Sequence, residues 1–478
     1  MTKFYATCAI PYVNAAPHVG HALEFIQGDT ITRYHKLLGE EALLLSGGDE
    51  NALKNVQAAE KAGIPVQKFV DDNTAIFLKL TQALHCDFGV WQKGSDTEHH
   101  FKASQKLWKL CEKDIYKKSY EGLYCVGCEA FYTKDELNEN GECVEHPGKI
   151  LDSVKEENYF FRLSSYQKQL ISLITSDAIK IIPDFRKNEV LSFLKQPLLD
   201  ISISRSNIRA KNWGVPVPDD PTQRIYVWFD ALNIYQSGIG FGWDEKNYDK
   251  WWPANVHVIG KGITRFHAIY WPAFLLSAGL KLPKSIFIHG YFTINGQKMS
   301  KSLGNVIDPF ALIQTYGAEA MRYYFLREIP STSDGDFSER RFKELYNADL
   351  ANGLGNLVAR TAKLASIAQN VVIPKPPTFL QCQGHNPDYQ KHLEGYQFHE
   401  ALSYVWGKIK AFDINVNTTK PWEKKGDELT GIINTYIPPI QEIATLLLPF
   451  MPQTAQKILD QFKGPTIQPE PPLFPRIQ

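Results

Sequence analysis

Residues 4–9 form a short apolar run, read as a buried strand. After a bend rich in Pro, Asn and Gly, Ala22, Leu23, Phe25, Ile26, Ile31, Tyr34, Leu37 and Leu38 recur at helical spacing until Gly39. Residues 41–45 read as the next buried strand. Strand, helix and strand in that order predict a right-handed crossover unit of a parallel sheet, whose ligands bind beyond the strands' carboxyl ends. Residues 52–112 are mostly helical by period, and 151–225 read as mixed strand and helix. Residues 225–229 predict a strand, followed by a helix that opens at Asp230. Further strands are expected at 255–260 and 285–289, and a long helix with Pro272 inside it at 264–278. Asn295-Gly296, flanked by residues 291–294 and 297–300, predicts a hairpin. Beyond Phe337 the period is helical over 340–372 and 390–462, with a Pro-rich loop from Ile373 and a Pro-rich tail after 464. A helical bundle is the simplest reading.

The 478 residues exceed what one core supports, and about 100–200 residues per domain suggests about three domains. Lys+Arg and Asp+Glu balance at 52 each, so no global field draws the chain to nucleic acid or to an anionic membrane. A local patch remains open. The chain enters its first strand without a signal-peptide pattern, and no apolar run has the length of a bilayer span. A cytoplasmic protein is expected, with no membrane and no DNA partner. Seven cysteines are too few for a disulfide scaffold in so long a chain.

Five places carry candidate chemistry. At the first bend, His18 and His21 sit beside Gly20 where the helix begins, and a helix N-terminus with unpaired N–H groups stabilises a phosphate. The same residues also suit an ordinary turn and cap. Asp49 follows the second strand, where it either caps a turn or anchors a ligand amine. Cys125-Val-Gly-Cys128 and Cys143-Val-Glu-His146 are two ligand pairs spaced for a tetrahedral zinc knuckle, against the alternative of an exposed redox pair. Four protein ligands leave no open position, so this Zn2+ would be structural. Ile263, His267 and Trp271 share one helix face, suited to walling a small apolar ligand or to lying in the core. Lys298 and Lys301, three apart on a glycine-flanked loop, can reach phosphate oxygens or form a charged surface turn.

His18-Val-Gly-His21 and, about 280 residues on, Lys298-Met-Ser-Lys-Ser302 together resemble the two signatures of class I aminoacyl-tRNA synthetases. The pairing is far more specific than either half. With the knuckle, Ala9-Ile-Pro-Tyr12, Val227-Trp-Phe-Asp-Ala231 and the Ile263, His267, Trp271 face, the likeness is to the methionyl-tRNA synthetase family and runs over nearly the whole chain. It implies an α/β fold: a Rossmann-type parallel-sheet catalytic domain (1–112 and 225–338) split by a zinc-knuckle connective domain (113–224), then an all-α anticodon-binding bundle (339–478). It implies a ligase that joins L-methionine to ATP as methionyl-adenylate, releasing pyrophosphate, and transfers methionine to the 3′ end of tRNA(Met).

By the same resemblance the methionine site comprises Ala9, Ile10, Tyr12, Asp49, Trp228, Ala231, Tyr235, Ile263, His267 and Trp271. Asp49 would take the ammonium, and the rings would enclose the thioether. His18, Gly20, His21, Lys298 and Lys301 would bind ATP, with Mg2+ accompanying it and the two histidines and two lysines acting in catalysis. Asn356, Arg360 and Trp422 would contact the anticodon, where Arg, Asn and an exposed Trp can stack on and bond to splayed bases. The chain lacks the appended dimerisation domain of some relatives, and a monomer is expected. It departs from the family at Asn51-Ala52, commonly His-Gly, and at Gly262, commonly Asp; residues 207–212 look like a small insertion before Trp213. Two rival readings follow from these departures: a paralogue that hands its adenylate to an acceptor other than tRNA, and a non-catalytic tRNA-binding paralogue.

Overall fold

The computed structural model describes every residue except 1, 128–129, 133–135, 145–147, 149–150, 299–304 and 478. Its centre is a six-stranded parallel sheet of β1 (Lys3–Cys8), β2 (Glu41–Gly48), β3 (Val90–Lys93), β4 (Lys180–Ile182), β5 (Val256–Gly260) and β6 (Ser285–His289), in the spatial order β3-β2-β1-β5-β6-β4. Chain direction across the sheet reverses between β1 and β5. In such sheets a crevice opens there, beyond the carboxyl ends of the strands.

Alternation along the strands covers both faces. Phe4, Ala6 and Cys8 of β1, with Val256, Val258 and Phe287, pack against helix α1 (Val19–Leu37) through Ala22, Leu23, Phe25 and Ile26. That core continues without a break into the C-terminal helices Phe398–Thr419 and Gly426–Leu447. Tyr5, Ile259, Ile286 and Ile288 face the other way, onto Val227–Ser237 and Trp271–Ala278. A buried ion pair crosses the first core. Arg322 reaches Asp29 of α1 at 2.7 Å and donates to the Phe450 carbonyl at 2.7 Å. Both side chains are enclosed, so removing either leaves an uncompensated charge, and the pair ties α1 to the chain at Phe450.

Within residues 113–224 lies an antiparallel sheet, in which Ile115–Cys125 pairs along its length with Asp152–Phe161, flanked by Ala130–Tyr132 and Ile201–Ser202. The same region also supplies β4, an edge of the central sheet.

Three expectations from the sequence are corrected. The strand expected at 225–229 ends at Ile225, and Val227–Ser237 is helical, so Trp228 lies in a first helical turn. The long helix expected over 264–278 is broken into a short turn at Lys261–Ile263, a π-helical turn at Phe266–Tyr270 and a helix at Trp271–Ala278, with Pro272 in that helix's first turn, where its missing N–H is harmless. The mostly helical stretch 52–112 also contains β3. The hairpin at Asn295-Gly296 is present, with both residues at positive φ (50° and 77°).

Candidate active site

The first bend delivers α1 to the crevice. His18 is its N-cap: His18 Nδ1 accepts from the Gly20 N–H at 3.1 Å, and His21 Nδ1 accepts from the His18 N–H at 3.1 Å. The two rings stack at 3.9 Å. Because each Nδ1 is an acceptor, each neutral ring carries its proton on Nε2, so both histidines offer N–H donors at a helix N-terminus. Burial, then the neighbouring His18, push the His21 imidazole well below its ordinary range and keep it neutral. The residues the sequence offers for a phosphate are thus also the cap of α1.

Beside α1, the end of β1 is held from two sides. The Ala9 N–H donates to Glu24 Oε1 at 2.8 Å and to the Val258 carbonyl at 3.0 Å, and Glu24 Oε2 meets His289 Nε2 at 3.0 Å. Ala9 and Ile10 follow directly, and the Ala9 carbonyl accepts from Ser46 Oγ at 2.9 Å. Asp49, buried, is drawn in by a bridge to Tyr12 and by its N–H donating to the Pro11 carbonyl at 2.9 Å.

The remaining pocket residues converge from two helices. Trp228 stacks on Phe266 at 3.7 Å and presents its edge to Tyr12 and to His267, each at 6.3 Å. The Tyr235 hydroxyl lies 2.8 Å from His267 Nε2, and Tyr235 packs edge-on to Trp271 at 6.4 Å. The π-helical turn aims His267 Nδ1 at the Ile263 carbonyl, 3.0 Å away. Ala231, buried, is on the same helix as Trp228 and Tyr235. Burial pushes His267 down to about 4, so the centre of the aromatic group is uncharged. A carboxylate at one side and neutral rings at the other suit a small zwitterion with a polarisable apolar side chain.

Sequence reasoning missed a buried network behind this pocket. Asp230 accepts from Asn51 Nδ2 at 2.6 Å, from Ser104 Oγ at 2.8 Å and from His100 Nε2 at 2.9 Å. Asn51, a departure from the family pattern, thus supports the helix that carries Trp228. Gly262, the other departure, faces the Tyr291 hydroxyl. A Cβ at 262 would lie 2.3 Å from that oxygen, so the space of a side chain at 262 is taken by Tyr291.

Several expected site residues are only partly described. Lys298 ends the strand Gln297–Lys298, paired with Thr293, and its side chain and Lys301 lie outside the described residues. Of the knuckle, Cys125 and Cys143 are buried, whereas Cys128 and His146 lie outside the described residues. Among the described residues no group of three or more His, Cys, Asp or Glu gathers as for a metal ion. No helix among them is long and apolar enough to cross a membrane. Asn356 opens the helix Asn356–Ala365 after a π-helical stretch, Tyr346–Gly355. Arg360 on that helix lies under the Trp422 ring at 5.2 Å, Trp422 is 49% exposed, and Asn356 stands one turn before Arg360 on the same helix.

Comparison with known proteins gives a consistent result. The family described as tRNA synthetases class I (M) matches residues 4–362. The methionine–tRNA ligase of Thermotoga maritima is 40% identical over 95% of this chain and 74% of its own length, and that of Mycobacterium leprae is 39% identical over 96% and 89%. The Mycobacterium tuberculosis methionyl-tRNA synthetase in complex with methionyl-adenylate superposes with a TM-score of 0.92 at 35% identity, covering all of both chains. Its apo form gives 0.85 at 33% identity, covering 100% of this chain and 99% of that one. The crevice at the sheet's reversal, the helix N-terminus that enters it and the neutral aromatic pocket beside Asp49 therefore sit in a chain that belongs to the methionyl-tRNA synthetases, the class I enzymes that ligate methionine to tRNA.

Proposed function

We propose that this crevice carries both half-reactions of methionine–tRNA ligation with the residue roles that follow. The observation that supports this most is the adjacency of Asp49, through Tyr12 and Trp228, to the neutral Tyr235–His267 pair. Asp49 takes the methionine ammonium. Ala9, Ile10, Tyr12, Trp228, Ala231, Ile263 and Trp271 enclose the side chain, with the Tyr235–His267 pair against the thioether. The substrate carboxylate, so placed, attacks the α-phosphorus of ATP; a new P–O bond forms, the bond to the β-phosphate breaks and pyrophosphate leaves. Negative charge grows on phosphate oxygens, and the Nε2–H groups of His18 and His21, the N-terminus of α1 at Gly20, and Lys298 and Lys301 meet it there. Mg2+ accompanies ATP as part of the substrate. The terminal ribose hydroxyl of tRNA(Met) then attacks the adenylate carbonyl and AMP leaves.

The knuckle residues Cys125, Cys128, Cys143 and His146 would hold one Zn2+. The fit is supported by Cys125 and Cys143 both being buried, which argues against an exposed redox pair. Such an ion supplies folding energy and no reaction step. Asn356, Arg360 and Trp422 form the anticodon contact, on residues 339–478. Residues 1–112 and 225–338 act as the catalytic domain and 113–224 as the connective domain, in a cytoplasmic monomer.

Pyrophosphate exchange tests the first half-reaction. Exchange should require methionine and fall at least about a hundredfold in Asp49→Ala, since a buried charged hydrogen bond to the substrate is lost. Exchange with no amino acid would sink both this reading and the alternative of a different acceptor.

A further inference from the structure

The first turn of helix α2 (Leu53–Ala62) lies against one wall of the methionine pocket, and two of its side chains hold that wall. Lys54 Nζ sits over the Tyr12 ring and donates to the Gly127 carbonyl at 3.2 Å. Asn55 Nδ2 donates to the Asp49 carbonyl at 2.7 Å. We propose that Lys54 is a positioning residue of the methionine site: anchored at Gly127, its ammonium holds the Tyr12 ring in the orientation that encloses the substrate side chain. The inference rests on the methionine–tRNA ligase reading and deepens it, naming a residue that shapes the methionine site through Tyr12 without touching the substrate.

Helix stability does not account for a lysine at this place. Lys54 is the second residue of α2, no acidic residue shares its first turn, and Ala52 supplies no side-chain cap. A cation there meets the positive end of the helix dipole, which disfavours it. The compensating interaction lies outside the helix, on the face of an aromatic ring. That face is negative and attracts an ammonium, the more strongly where water is excluded. The Gly127 carbonyl takes one of the ammonium protons. Carbonyl and ring together fix the end of a flexible four-carbon stem.

Tyr12 needs such a hold. It stands in the bend between β1 and α1 and pairs with Asp49 through an isolated bridge, outside the strand ladder. A bridge of one residue fixes the backbone and leaves the direction of the ring to its packing. Asn55 secures the Asp49 side of the bridge, and Lys54 the ring.

The ring so held meets Trp228 at 87° with centres 6.3 Å apart, and Trp228 in turn stacks on Phe266 at 3.7 Å. A second cation supports that stack. Arg265, which directly precedes Phe266, pairs with Glu136 at 3.0 Å. Lys54 beside Tyr12 and Arg265 beside the Phe266–Trp228 stack are thus both tied to the stretch of chain that carries Gly127 and Glu136. None of these contacts involves His18 or His21, so loss of Lys54 should weaken methionine binding and spare ATP.

Lys54→Met, which keeps the stem and removes the charge, tests this on the full chain. The Kd for labelled methionine in equilibrium dialysis without ATP should rise about tenfold, as for loss of a cation–π contact shielded from water. In pyrophosphate exchange KM for methionine should rise to the same extent, while KM for ATP and kcat stay within about twofold. Lys54→Arg, which restores a cation over the ring, should recover most of the loss. In a Tyr12→Leu background Lys54→Met should add less than about twofold, because its effect runs through the ring. Equal rises in KM for methionine and for ATP would overturn the assignment, as would an undiminished effect of Lys54→Met in the Tyr12→Leu background. If Lys54→Met melts at lower temperature than the parent, Lys54→Arg decides: normal melting with methionine bound as weakly as by Lys54→Met contradicts the role. Absence of methionine-dependent exchange in the parent would instead refute the ligase reading itself.

Discussion

The Tyr235 hydroxyl donates to His267 Nε2 at 2.8 Å while His267 Nδ1 donates to the Ile263 carbonyl at 3.0 Å, so one tautomer of a buried imidazole is fixed from both sides. With both ring nitrogens engaged, the ring stays neutral toward the thioether it would touch. Tyr235→Phe leaves a buried acceptor unpaired, a loss of about 1–3 kcal/mol. KM for methionine in pyrophosphate exchange should rise about tenfold, with KM for ATP nearly unchanged. Equal increases in both would place Tyr235 outside the methionine site.

His267 also makes stability depend on pH. Its folded value of about 4 lies below the ordinary 6.5, so between these values the unfolded chain binds a proton that the folded chain refuses. Stability therefore rises with pH across this window and is lost as pH falls from 6.5 toward 4, by about 3 kcal/mol if fully realised. Urea unfolding at pH 7.5 and pH 5 should show the decrease. In His267→Phe the slope should shrink by up to one proton, with His21, His257, His35 and His399, which burial also lowers, contributing to what remains.

Gly262 and Tyr291 should be coupled. A methyl group at 262 falls 2.3 Å from the Tyr291 hydroxyl, inside any permitted contact. Gly262→Ala should cost about 1–3 kcal/mol through overpacking, and Tyr291→Phe should relieve most of it in the double variant. A thermal double-mutant cycle measures the coupling; strictly additive effects would mean the two residues do not share this space.

Trp422 lies about half exposed over Arg360, unlike a core tryptophan. Trp422→Ala should lower charging of tRNA(Met) by about a hundredfold, through loss of a stacked base contact, while pyrophosphate exchange stays within about twofold. Equal loss in both assays would count against an anticodon role.

Removal of zinc tests the knuckle. A chelated preparation should lose one Zn2+ per chain and melt at lower temperature, because a structural site contributes its binding energy to folding. A preparation that holds no zinc yet melts unchanged would defeat the structural role.

The sequence carried the sheet's centre well, because β1, β2 and β6 are continuous apolar runs bounded by turn residues. It carried the edges poorly: Val90–Lys93 and Lys180–Ile182 are only a few residues long and have no pattern of their own. Residues 225–229 suggest a strand through Trp228 because they are uniformly apolar, and an unbroken apolar run has no readable period. The π-helical turn at His267 is invisible to a 3.6-residue template. The Asp230 network was out of reach for a different reason: Asn51, His100 and Ser104 lie 179, 130 and 126 residues away along the chain, and only the fold brings them together. The residues proposed for the methionine pocket come from just past β1 and β2, from Val227–Ser237 and from the turns before Trp271, too far apart along the chain for local pattern to group them.

The most direct measurement is charging of a tRNA(Met) transcript with radiolabelled methionine by the purified chain with ATP and Mg2+. The account predicts methionyl-tRNA formation that requires both the 3′ end and the tRNA(Met) anticodon. Methionine-dependent pyrophosphate exchange without any charging would contradict it and point to an acceptor other than tRNA.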